Sequence, residues 1–142
     1  MEGNGEISVL LLEDNPTLRG SICHYLSSEG LRVRSAASSQ EFIELLSQEE
    51  SQILIMDVLL PGEDAFAVLE GLSGSGRHGI IMLTILGELD DKIKGLEGGA
   101  DIYLVKPVDN RELLACIHSL HRSLQQVIGV NGSSGKAYGK ST

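Results

Sequence analysis

Four short apolar runs in this chain end in residues that could share one chemistry. Ile7–Leu12 leads to Glu13 and Asp14, and Ile53–Met56 leads to Asp57. Ile80–Leu83 leads to Thr84, and Ile102–Val105 leads to Lys106, followed by Pro107. If the runs are parallel strands of one sheet, all five groups project from one edge. Clustered carboxylates repel, and ionising them together is costly without a cation. A hard divalent ion with oxygen ligands removes that cost, and Mg²⁺ (or Mn²⁺) suits a few carboxylates plus water. A lysine and a hydroxyl beside them suit a phosphoryl group arriving on a carboxylate oxygen. Taken singly, each residue has an ordinary reading. An acid pair after a strand usually caps a helix, and Asp14 is expected to cap as well. A lone Thr is a turn residue, and Lys-Pro opens a loop. The set, one member per strand end, points to a site.

The elements that must hold these residues alternate. Ile7–Leu12 is a nearly unbroken apolar run, as expected of a strand buried on both faces. Asp14-Asn15-Pro16 supplies a cap and a first-turn proline for a helix carrying Leu18, Ile22, Tyr25 and Leu26. Gly30 stops it. Leu31–Ala36 is a weaker strand. Ser38 and Glu41 form a capping box ahead of Phe42, Leu45 and Leu46. After Ile53–Met56, Asp64 opens a helix with Phe66, Val68, Leu69 and Leu72. After Ile80–Leu83, a helix is expected over 89–97, ended by Gly98-Gly99. After Ile102–Val105, Asp109 and Glu112 open a last helix with Leu113, Leu114, Ile117, Leu120 and Leu124. Five such alternations specify an α/β fold, a doubly wound parallel sheet with helices on both faces. The pattern stops near Gln125. The domain is therefore placed at 6–124, with 125–142, rich in Gly, Ser and Lys towards its end, as a flexible tail or linker.

Composition removes several classes of function. Of 142 residues, 11 are Lys or Arg and 20 are Asp or Glu, a net charge of -9, which opposes direct nucleic-acid binding by this segment and an anionic membrane surface. No Trp is present, which disfavours a stacking platform for bases. No run reaches the roughly 18 apolar residues of a membrane span, and no basic leader precedes the first strand, so a cytoplasmic protein is expected. Cys23 and Cys116 read as free thiols. His24, His78, His118 and His121 lack the spacing of a metal set. The Ser73–Gly76 stretch (SGSG) follows a helix and is a loop, not a phosphate cradle.

The stretches LLLEDNP, ILIMDVLLPGEDAF, IIMLTILGE and GADIYLVKPVDNREL together resemble the receiver domain of two-component response regulators, over about Glu6 to Leu124. The resemblance implies a flavodoxin-like five-stranded sheet of order 2-1-3-4-5. It implies that Asp57 accepts a phosphoryl group from a sensor histidine kinase. Asp14 and Asp57 would ligate Mg²⁺ directly, Glu13 mostly through a water, and the backbone carbonyl of Leu59 would complete the protein ligands. Lys106 would contact the phosphoryl oxygens, through a cis peptide to Pro107. Thr84 would move to the aspartyl phosphate and Tyr103 would turn inward behind it. As a strand aromatic, Tyr103 is also expected to pack on the last helix.

By the same resemblance, the readout face is the fourth helix, the fifth strand and the fifth helix. It would also serve as a homodimer surface on phosphorylation. A C-terminal output domain or downstream protein, with transcription the commonest output, would be the target. Such a domain is a signalling switch with slow self-dephosphorylation rather than an enzyme. The chain departs from the family pattern in places. Ile85 stands where a small residue is common, and with Leu59 and Leu86 it forms an apolar rim expected to slow hydrolysis. Ala65 stands where glycine often makes a left-handed turn, Val108 where Phe is frequent, and Cys116 where one DNA-binding subfamily has Arg. A constitutive interaction module would lack one of the acids, the Lys or the Thr, and none is missing. A phosphatase would carry an acid at 59, and a flavin protein a glycine-rich loop after the first strand.

Overall fold

In a computed structural model of the chain, residues 6–62, 64–73, 78–85, 93 and 96–130 are described. The strands are β1 (Ser8–Leu12), β2 (Arg32–Ala36), β3 (Ile53–Asp57), β4 (Gly79–Thr84) and β5 (Ile102–Val105). The helices are α1 (Pro16–Ser28), α2 (Ser39–Gln48), α3 (Ala65–Ser73) and α4 (Asn110–Val130). All neighbouring strands pair in parallel, in the order β2-β1-β3-β4-β5. The order reverses between β1 and β3, so the crevice beyond their carboxyl ends is where a ligand belongs.

Strand alternation divides the interior into two cores. Leu10, Leu12, Leu54, Met56, Ile80 and Met82 face α2 and α3, packing on Phe42, Ala65 and Leu69. Val9, Leu11, Ile53, Ile55, Ile81 and Leu83 face α1 and α4, packing on Ile22, Leu26, Leu113 and Ile117. Strands buried on both faces explain why the sequence shows unbroken apolar runs rather than alternation.

Local signals start the helices, with corrections to the expectations. Asn15, not Asp14, caps α1: its Oδ1 accepts from Leu18 N at 3.0 Å. This releases the Asp14 carboxylate from a capping role. Ser38 Oγ accepts from Glu41 N at 3.2 Å, and Glu41 Oε1 accepts from Ala37 N at 2.9 Å. Asp64 Oδ1 accepts from Phe66 N at 3.0 Å. The left-handed residue of the β3–α3 turn is Gly62, φ +69°, so Ala65 can be the buried first residue of α3. Tyr103 does not pack on the last helix. It lies in the α2–α3 core, while Ile102 and Leu104 on either side of it face α1 and α4. The helix α4 continues to Val130, six residues past Leu124. Leu124 still packs against the core, whereas Gln125 and Gln126 are exposed. The backbone thus stays helical beyond the point where the helix was expected to end.

Cys23 and Cys116 are half-buried free thiols. Among the described residues, no helix is long and apolar enough to cross a membrane. Ile93, Leu96 and Glu97 have helical backbone, and the rest of the helix expected over 89–97 lies outside the described residues. Leu86, most of the SGSG loop and residues 131–142 also lie outside them.

Candidate functional site: an acidic cluster bridged by lysine

Parity explains which side chains meet at the carboxyl edge. Continuing β1, β3 and β5 by alternation puts Glu13, Asp57 and Lys106 on the α1–α4 side, with Leu11, Ile55 and Leu104. Thr84, one residue after Leu83, falls on the other side, where Tyr103 lies. The strand ends are also tied directly. Glu13 N donates to Ala36 O at 3.1 Å, Val58 N to Leu83 O at 2.9 Å, and Lys106 N to Thr84 O at 2.7 Å.

Lys106 Nζ bridges the two buried acids, donating to Glu13 Oε1 at 2.8 Å and to Asp57 Oδ2 at 3.0 Å. The Glu13 side chain is 1% exposed, that of Asp57 4%, and that of Lys106 14%. Burial pushes the lysine's pKa down, but the hydrogen bonds and charges of Glu13 and Asp57 outweigh it and hold it above its ordinary value. The other oxygens are held by backbone. Asn15 N donates to Glu13 Oε2 at 3.1 Å, and Leu59 N to Asp57 Oδ1 at 2.9 Å. The Lys106–Pro107 peptide is cis.

Asp14 completes the cluster. Carboxylate oxygens of Glu13, Asp14 and Asp57 all lie within 4.8 Å of one another. Three carboxylates against one ammonium leave two formal negative charges, the charge a divalent ion would balance. The donors are all hard oxygens and Asp14 remains half-exposed to water, which fits Mg²⁺ and its retained waters. A buried carboxylate with a lysine on one oxygen and two further acids beside it suits phosphoryl chemistry.

The family model described as "Response regulator receiver domain" matches residues 9–118, the stretch that carries every one of these groups. The chain belongs to that family. Related curated proteins include the transcriptional regulatory protein GltR of Pseudomonas aeruginosa, 41% identical over 88% of this chain and 52% of its own length. Another is the transcriptional regulatory protein AfsQ1 of Streptomyces coelicolor, 38% identical over 81% of this chain and 51% of its own length. The chain thus spans about half the length of these relatives. Among solved structures, a CheY-like response regulator receiver domain protein from Methanospirillum hungatei superposes with a TM-score of 0.81. It is 26% identical, and the match covers 84% of this chain and 97% of that one.

In this receiver domain the structure brings Glu13, Asp14, Asp57 and Lys106 together, with Leu59 contributing its N–H to Asp57. Thr84 is fully buried at the neighbouring strand end and Tyr103 is 8% exposed. Around the lysine, Leu18, Leu83, Ile85, Pro107 and Val108 line an apolar cavity of about 310 Å³. Ile85 is 65% exposed at its edge. Sequence reasoning missed Arg19, whose Nη1 donates to Glu13 O at 2.8 Å and to Asp14 O at 3.4 Å. An arginine one turn into a helix is an ordinary surface residue by spacing alone, and only the fold turns it back over the acid pair.

Proposed function

We propose that Asp57 is the phosphoacceptor of this receiver domain and that a sensor histidine kinase is the donor. The observation that carries this reading is a buried carboxylate at the end of β3, 3.0 Å from a lysine ammonium and within 4.8 Å of two other acids. An Asp57 oxygen attacks phosphorus. A P–O bond forms as the bond to the kinase imidazole breaks, and its electron pair returns to the ring nitrogen. Mg²⁺, held by Glu13, Asp14, Asp57 and the Leu59 carbonyl, would neutralise charge building on the transferring oxygens. Lys106 is already 3.0 Å from Asp57 and would follow the new phosphoryl oxygens without a large movement.

Thr84 and Tyr103 form the switch. A phosphoryl group adds about two charges and three acceptors at one spot. Thr84 turns its hydroxyl toward them, and Tyr103, on the same side of the sheet and two register positions back, fills the space behind it. The altered surface comprises the segment around Ile93 and Leu96, β5 and α4. Its exposed apolar residues Ile93, Leu96 and Val105 support a docking role, including phosphorylation-dependent homodimerisation. The unit of action is 6–124, with the following segment leading to an output domain. That output is transcriptional, a reading supported by relatives that are transcriptional regulatory proteins and that this chain matches over about half their length. The switch works in the cytoplasm and resets by slow hydrolysis behind the Ile85 rim.

The test is incubation with Mg²⁺ and a small phosphodonor, followed by mass spectrometry. One phosphoryl group is expected on the wild type and none on Asp57→Ala. An adduct that persists in Asp57→Ala, or none on the wild type, would sink the reading.

A further inference from the structure

The two adjacent acids are anchored very differently. Glu13 is fixed at each polar position: its N–H donates to Ala36 O, its Oε2 accepts from Asn15 N, and its Oε1 accepts from Lys106. The Asp14 carboxylate makes no hydrogen bond among the described residues and is only half-buried. What places it near Asp57 is therefore its backbone. That backbone is held from α1 by Arg19, whose Nη1 takes the carbonyls of Glu13 and Asp14 together. A guanidinium is always charged, planar and multiply donating, so one side chain can clamp two successive carbonyls.

We infer that Arg19 is a positioning residue for the divalent cation, acting through the Glu13–Asp14 backbone and never touching the ion. This rests on the reading of Glu13, Asp14 and Asp57 as the cation site. Two effects of Arg19 oppose each other. As a clamp it orders Asp14, so the ion meets a preformed donor instead of restraining one as it binds. As a positive charge near the cluster it repels the ion. Partners that orient metal ligands indirectly typically contribute about 10- to 100-fold in affinity. The repulsion is weakened because Arg19 is only half-buried and solvent and salt screen its charge. The clamp therefore dominates, and removal of Arg19 weakens cation binding.

The experiment is calorimetric titration of the metal-free full chain with MgCl₂, comparing wild type with Arg19→Ala, Arg19→Gln and Arg19→Lys. Urea unfolding in EDTA runs in parallel. Arg19→Ala should raise the Mg²⁺ dissociation constant about tenfold or more. Arg19→Lys, which keeps the charge and one donor direction, should recover part of that loss. Arg19→Gln, too short to reach both carbonyls, should resemble Ala and serves if the Ala variant does not fold. Unchanged or tighter Mg²⁺ binding in the variants would overturn the inference, including when urea stability falls, because a purely structural arginine moves only the latter. If the wild type itself binds no Mg²⁺, the cation-site reading falls first and this inference with it.

Discussion

Lysine 106 holds two buried carboxylates apart from each other's repulsion, and its removal should be costly in a way that can be calculated. Lys106→Met keeps most of the stem and deletes the ammonium. Each lost ion pair has its charges about 3 Å apart. At an effective dielectric near 20, that separation corresponds to about 5 kcal/mol of gross attraction per pair. The ammonium also recovers its full hydration on unfolding, so the net effect is smaller. Breaking a buried pair by removing one partner typically costs ~3–5 kcal/mol, because the remaining charge stays buried and uncompensated. We expect the lower end, about 3 kcal/mol, because the lysine keeps some solvent contact. Against a typical domain stability of roughly 5–15 kcal/mol this is a large fraction. The assay is urea unfolding by far-UV circular dichroism at neutral pH in EDTA, since the chain has no Trp for fluorescence. With ordinary urea slopes the midpoint should fall by roughly 1–3 M. Two further arms identify the cause. Adding Asp57→Asn to Lys106→Met removes one of the stranded charges, so the double variant should regain stability instead of losing more. Millimolar Mg²⁺ should stabilise Lys106→Met more than the wild type, because it supplies the missing cation. A loss below about 1 kcal/mol, or a double variant less stable than Lys106→Met, would refute the reasoning.

Two other outcomes follow from single side chains. Ile85 overhangs the cavity beside Lys106, so Ile85→Ala should speed both phosphorylation by a small donor and loss of the phosphoryl group. A gain of up to about tenfold corresponds to ~1.4 kcal/mol of barrier, and equal rates in the two proteins, followed by mass spectrometry over time, would remove Ile85 from the rim. His121 has its pKa lowered by burial and by the nearby His118 charge, so the unfolded chain takes the proton more readily. Stability should be full above the ordinary histidine value of about 6.5 and decline as pH falls below it, and His121→Gln should flatten that decline in urea midpoints measured across the window.

Most of the fold and the acid cluster were legible because buried parallel strands write themselves as apolar runs, and their ends are where such sheets place chemistry. Glu13, Asp57 and Lys106 meet because each stands two residues beyond one that faces α1 and α4, Leu11, Ile55 and Leu104, so alternation carries all three to the same side. What escaped the sequence has definite physical causes. Whether Asp14 or Asn15 caps α1 is a choice between two competent neighbours, decided by which one has the extended backbone just before Pro16. The face on which Tyr103 lies depends on register: Ile102 pairs with Ile81 and Tyr103 with Met82, and a shift of one residue would reverse it. Arg19 reaches the carbonyls of the acid pair across the turn from β1 into α1, a contact that helix spacing alone does not encode.

The same parity that gathers the acids separates the two jobs of the site. Glu13, Asp57 and Lys106 lie on the α1–α4 side, while Thr84 and Tyr103 lie on the α2–α3 side. On the proposed reading, phosphorylation of Asp57 would have to reach the aromatic across the sheet, and the backbone offers a short route. Val58 N is bonded to Leu83 O, next to Thr84, and Lys106 N is bonded to Thr84 O. Thr84 thus sits between the strand that carries the acceptor and the loop that carries the lysine, with its main chain bonded to that loop. On that reading, a small shift of the lysine toward a new phosphoryl group would pull on the carbonyl of the residue whose hydroxyl would bind the same group. The two motions would reinforce each other, which would favour two discrete arrangements over a continuum in a closely packed interior.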